Sequence, residues 1–159
     1  MSEQDGVMQG TVRLLEGMAF EARSGSGHVL TVDAGSESGG EGRGSRPLEL
    51  LLLGLGGCTG MDVISILRKM RQDISHYEVR VRAERADEHP RVFTSIVVEH
   101  VVVGHALNPE SVKRAVELST TRYCSALAML AKAADVAVTY RIADDTPPGE
   151  TQGTIGATH

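Results

Sequence analysis

The sequence predicts an α+β fold, on two observations. Short strand-like runs are punctuated by glycine and serine, and one long apolar helical segment stands among them instead of alternating regularly with them. The expected order is strands, long helix, hairpin, two helices and a closing strand. A regular strand–helix alternation, which would signal a doubly wound parallel sheet, is missing from the pattern.

Residues 11–15, 18–23 and 28–32 read as strands, separated by Glu16-Gly17 and by Ser24-Gly25-Ser26-Gly27. Such breaks predict a hairpin or meander. Residues 33–45, DAGSESGGEGRGS, carry almost no apolar side chain and predict a mobile loop.

Pro47 then opens PLELLLLGLGGCTGMDVISILRKMRQD. Proline suits a first helical turn, and Arg68, Lys69 and Arg71 suit the last. Leu50, Leu51, Leu52, Leu53, Leu55, Met61, Val63, Ile64, Ile66 and Leu67 cover every face, which predicts a helix buried on all sides. Gly54, Gly56, Gly57 and Gly60 each cost about 1 kcal/mol relative to alanine. A sheet, a second subunit or a ligand is therefore expected close to this backbone.

Residues 76–88 and 91–103 follow as strands around the turn Asp87-Glu88-His89-Pro90. In the first, Tyr77, Val79, Val81 and Ala83 alternate with charged residues, giving one buried and one wet face. Asn108 is a good N-cap before Pro109, opening a helix to about Ser119 whose stripe is Val112, Ala115 and Val116. Thr120 or Thr121 caps a further helix over 122–134, and 136–142 closes the sheet. The expected organisation is one domain, 1–143, with a disordered tail, 144–159, rich in polar residues, glycine and proline.

Composition limits the functional classes. A chain of 159 residues buries about two thirds of its unfolded surface, so it needs no disulfide or metal to hold a core. Three tyrosines, two phenylalanines and no tryptophan argue against a platform for stacked bases, and a net charge of -5 argues against a phosphate backbone. No nucleic-acid partner is expected. The N-terminus is polar and acidic, unlike a secretory signal. The longest apolar stretch, 50–58, is well short of the roughly 20 residues that span a bilayer, so no membrane association is expected. Two cysteines without a secretory signal suit a reducing, cytoplasmic setting.

Motifs for other chemistry are weak. Gly54-Leu55-Gly56 begins a dinucleotide-type glycine pattern but ends on Thr59, inside a helix and without a following lysine, so no cofactor is expected. His28, His76, His89, His100, His105 and His159 have no metal-ligand spacing. No metal is expected, and His100 and His105 read as solvated. No nucleophile elbow of the hydrolase type is present.

Cys58 and Cys124 remain. Cys58 lies mid-helix among glycines and leucines, a setting that raises a thiol pKa, and Asp62 would raise it further if its carboxylate came close. Cys124 sits at a predicted helix start beside Arg122, and both features lower a thiol pKa. At this level the pair is either a redox site or two small buried apolar residues.

Two blocks, RPLELLLLGLGGCTGMDVISILRKMRQD at 46–73 and STTRYCSALAML at 119–130, resemble the two cysteine segments of the OsmC/Ohr superfamily, the osmotically inducible and organic hydroperoxide resistance proteins. The likeness runs over about 11–142. It is nearest to the divergent OsmC-like branch, and it implies an intertwined homodimer with antiparallel sheets around the long buried helix. In the family's peroxidase branches the first cysteine, here Cys58, attacks an organic hydroperoxide. The second, here Cys124, resolves the sulfenic acid as a disulfide that a thiol reductant reopens. Those branches also place a glutamate directly after the proline, paired with an N-terminal arginine. Here Leu48 follows Pro47 and the acid comes one position later, at Glu49, which an ideal helix turns about 180° from Cys58. Arg13, Arg23, Arg43 and Arg46 are the candidate partners. The resemblance thus implies a thiol peroxidase with Cys58, Cys124 and Glu49 in its site. The displaced glutamate motivates the alternative, a non-catalytic dimer that binds an apolar ligand or senses redox state.

Overall fold

β1 (Gly10–Glu16), β2 (Ala19–Ser24) and β3 (Val29–Val32) form an antiparallel sheet in the order β1-β2-β3. Gly17, with φ of 59°, supplies the left-handed residue that the β1–β2 turn requires. The computed structural model of the protein describes residues 6–145 and 151–156. The chain divides into two compact units, Met1–Leu51 and Leu52–His159.

In the first unit, the loop expected to be mobile is built around one side chain. Asp33, only 2% exposed, accepts the N–H of Ala34 at 2.8 Å, of Glu41 at 3.1 Å and of Arg43 at 3.0 Å. Composition hid this, because a single carboxylate satisfying three backbone donors replaces the missing apolar core. The Arg43 N–H first, then those of Glu41 and Ala34, hold the Asp33 carboxyl below its usual range, against the opposing effect of burial. A short 3-10 turn, Ser36–Ser38, completes the loop.

The helix α1 (Pro47–Lys69) starts where Pro47 predicts. Its buried residues, Leu55, Gly56, Thr59, Gly60, Val63 and Leu67, form one stripe. All-round burial is therefore not what the single chain shows: Leu51, Leu53 and Met61 are 49%, 64% and 73% exposed. The close approach expected at the glycines is met at two of them. A Cβ on Gly56 would lie 3.0 Å from Val81, and one on Gly60 3.2 Å from Val79, whereas Gly54 and Gly57 face open space. Unlike its longest unbroken apolar run, α1 is long and apolar enough to cross a bilayer, its most apolar 18-residue stretch having a mean hydropathy of 1.9.

In the second unit, β4 (Asp73–Arg85), β5 (Phe93–His105), β6 (Asp135–Asp144) and β7 (Thr151–Gly156) make a sheet in that order. β4 and β5 pair antiparallel, with Val79 opposite His100. The expected antiparallel pairing holds for β4–β5 and β6–β7, while β6 runs parallel to β5, so this sheet is mixed. The chain between them is long enough to return, through α2 (Pro109–Leu118), a wide π turn (Ser119–Tyr123) and α3 (Ser125–Leu130). Asn108 caps α2 as expected, accepting from the N–H of Glu110 and of Ser111. The helix expected over 122–134 is shorter, because the π turn interrupts it.

Part of the tail expected to be disordered is ordered. Asp144 ends β6, and Thr151–Gly156 pairs antiparallel with β6, whose outer edge is otherwise open. Residues 146–150 and 157–159 of that tail lie outside the described residues.

Candidate redox site

Cys58 and Asp62 stand one turn apart on α1, so they share a face. Cys124 arrives from the other side of the sequence as the N-cap of α3, where its Sγ accepts the N–H of Leu127 at 3.4 Å. The π turn sets this position, with the Cys124 N–H donating to the Ser119 carbonyl at 3.0 Å. The two sulfurs and a carboxylate oxygen of Asp62 all lie within 4.8 Å of one another. Both cysteines are free; Cys124 is buried and Cys58 half-buried.

The electrostatics of Cys124 reverse the expectation from its neighbours. Burial pushes its thiol up to about 12, outweighing the Leu127 N–H that favours the thiolate; contact with Cys58 and the charge of Asp62 push it further up. Arg122 does not offset this. Its guanidinium lies 5.4 Å from the centre of the Tyr123 ring.

A buried polar chain leads away from Asp62. Ser119 donates to Asp62 Oδ2 at 3.1 Å, and its hydroxyl meets that of Thr59 at 2.8 Å. Thr59 Oγ1 lies 3.4 Å from His100 Nε2, and His100 Nδ1 lies 2.7 Å from the Tyr77 hydroxyl. The two rings are within 5° of parallel with centres 6.1 Å apart, a spacing that suits an in-plane hydroxyl-to-nitrogen bond. Thr59, His100 and Ser119 are each 0% exposed. Burial lowers the His100 pKa to about 4, so the ring is neutral near pH 7. Burial first, and then the charge of Asp62, raises that of Tyr77.

His100 is therefore not the solvated histidine that the sequence suggested. The available signal was strand periodicity, because His100 shares the inward face of β5 with Ile96, Val98 and Val102. Thr59 and Ser119 gave no comparable signal, since their meeting depends on tertiary packing.

Glu49 has a different engagement. Its carboxylate accepts the backbone N–H of Arg46 at 2.9 Å. The four candidate arginines pair with acids of their own unit: Arg13 and Arg23 with Glu21 at 3.3 and 3.6 Å, Arg43 with Glu16 at 3.8 Å, and Arg46 with Glu37 at 3.4 Å.

Two sulfurs and a carboxylate are donor types that a soft divalent ion accepts. Asp62 already accepts from Ser119, and no histidine joins the cluster among the described residues, so the trio reads as a dithiol beside an acid. A groove of about 310 Å³ is lined by Leu52, Leu53, Gly56, Gly57, Val79 and Val81, without either cysteine. A larger hollow of about 780 Å³, bordered by Phe93, Leu127 and Lys132, does not include the sulfurs.

Residues 39–139 match the family described as OsmC-like protein. The chain is an OsmC-like protein. It is 40% identical over 135 residues to Protein YhfA of Escherichia coli K12, covering 85% of this chain and 98% of that one. A hypothetical protein of Aquifex aeolicus VF5 matches it with a TM-score of 0.78 at 27% identity, over 88% of this chain and 98% of the other. An organic hydroperoxide resistance protein OsmC of Legionella pneumophila has a TM-score of 0.65 at 14% identity, over 87% and 98%. That last likeness is one of fold alone.

Proposed function

We propose that this OsmC-like protein is a thiol-dependent peroxidase for organic hydroperoxides. The observation that supports it is the meeting of two free thiols and a carboxylate within 4.8 Å. Cys58, the more exposed sulfur, attacks the terminal peroxide oxygen; the O–O bond breaks, the alcohol leaves and the sulfur becomes a sulfenic acid. Cys124 then displaces water from that sulfur to give the Cys58–Cys124 disulfide, which a dithiol reductant reopens. The raised Cys124 pKa suits a resolving thiol that stays protonated until it is needed. Persistent free thiols suit a cytoplasmic setting.

The working unit in this reading is a homodimer. The outward face of α1 carries the exposed Leu51, Leu53 and Met61, and among the described residues nothing lies within 4 Å of a Cβ placed on Gly54 or Gly57. A second copy would bury that face.

The test is consumption of cumene hydroperoxide with dithiothreitol, followed beside intact mass after a stoichiometric dose. Rapid turnover with loss of two hydrogens is expected, and Cys58→Ser should abolish both. A Cys58→Ser protein of full activity would sink the proposal. One observation favours a second reading, a non-catalytic dimer that holds an apolar ligand or senses redox state: Glu49 is engaged with the Arg46 N–H. Hydroperoxide consumption no faster than free dithiothreitol would select it.

A further inference from the structure

The direction of every bond in the buried polar chain follows from its end. A carboxylate only accepts, so the Ser119 hydroxyl donates to Asp62. With its proton so used, Ser119 accepts from the Thr59 hydroxyl. Thr59 in turn accepts from His100 Nε2–H, which leaves Nδ1 bare to accept from the Tyr77 hydroxyl. All four donors point toward Asp62. At the other end, half-buried Tyr77 lines a hollow of about 560 Å³ together with Arg68, Gln72, Asp73 and His76.

We propose that Asp62 gives and takes the proton of the buried Cys124 sulfur, and that Ser119, Thr59, His100 and Tyr77 connect Asp62 to solvent. The inference rests on the dithiol cycle proposed above and names the route its proton takes. When a reductant thiolate attacks Cys58 in the disulfide, the S–S bond breaks and its electron pair goes to Cys124. A proton is then required: disulfide plus RS⁻ plus H⁺ gives the Cys58–S–S–R mixed disulfide and the Cys124 thiol. Cys124 is 3% exposed and its neighbour Asp62 is half-buried, so the proton comes through the carboxylate, with the hydrogen-bonded chain as its internal route. A proton entering at Tyr77 shifts each bond by one place, and His100 exchanges Nε2–H for Nδ1–H as it passes. A neutral imidazole does this without a standing charge, and burial keeps His100 neutral. The second reductant thiol then releases Cys58 from the mixed disulfide, and resolution of the sulfenic acid runs the Cys124 step in reverse.

Two measurements test it on the full chain with chelator present. Nitrogen NMR of the reduced protein should show His100 as the Nε2–H tautomer with a bare, hydrogen-bonded Nδ1; an Nδ1–H tautomer overturns the direction. The second is the rate at which dithiothreitol reduces the diamide-formed disulfide, which requires no peroxidase activity. Thr59→Val keeps the shape and removes the hydroxyl, and should slow reduction on the order of 100-fold while abolishing its solvent deuterium effect. Thr59→Ser restores the hydroxyl and should stay within about twofold of the parent. A valine variant as fast as the parent refutes the relay. Should that variant fail to fold, Ser119→Ala carries the same expectation and the same refutation. A parent that forms the disulfide with diamide but not with cumene hydroperoxide would remove the peroxidase reading and leave the relay standing.

Discussion

The hydroxyl of Tyr77 meets Nδ1 of His100 at 2.7 Å, so the inward face of the β4–β5 hairpin carries a polar pair within its apolar packing. The ring nitrogen is dry, and the histidine titrates far from its solution range.

Its pH consequence has a definite sign. The folded His100 pKa is about 4 against 6.5 for the free side chain, so between these values the unfolded chain binds more protons. Stability present above pH 6.5 is lost as pH falls to about 4, by about 3 kcal/mol in all. Urea midpoints taken across that range should fall with pH. In His100→Gln the slope should flatten, and an equal slope would contradict the assignment.

Cys124 should resist alkylation. With its thiol pushed up to about 12 and 3% exposed, iodoacetamide at pH 8 should modify it far more slowly than a free cysteine. Peptide mass mapping reads this directly. Rapid labelling of Cys124 would mean that the burial around it is not as described.

The sequence made much of this legible, and the limits are physical. Local signals held where local physics decides: Pro47 at the start of α1, Asn108 as the cap of α2 and the alternation in β4. The meeting of Cys58 and Cys124 came from resemblance, since no spacing rule brings together residues 66 apart (124 − 58). Cys124 misled because Arg122 and the helix start were visible in the sequence, while the burial that outweighs them is tertiary. The parallel β5–β6 pair and the Asp33-centred loop were hidden for the same reason.

The outward glycines of α1 separate two states of the molecule. In a lone protomer Gly54→Ala would gain about 1 kcal/mol, since among the described residues nothing lies within 4 Å of the added methyl. Packed against a second copy, it would crowd. We expect a lower melting temperature and a sedimentation shift toward monomer; a higher melting temperature would show the face to be free.

Asp33→Ala should loosen the loop it organises, because the N–H groups of Ala34, Glu41 and Arg43 lose their acceptor. Limited proteolysis should cut within 34–45 sooner than in the parent. An unchanged cleavage pattern would show that the turn Ser36–Ser38 holds the loop alone.

The π turn that ends α2 ties two fortunes together. Ser119 opens it and Cys124 closes it, through a single backbone bond of 3.0 Å. One end presents a hydroxyl to Asp62, and the other presents a sulfur to the same carboxylate. Deleting one residue between them would restore a regular helix and rotate both groups out of place at once. Length here is as strict a requirement as residue identity: a relative could exchange Thr121 or Arg122 and keep the site, but it could not lose either position.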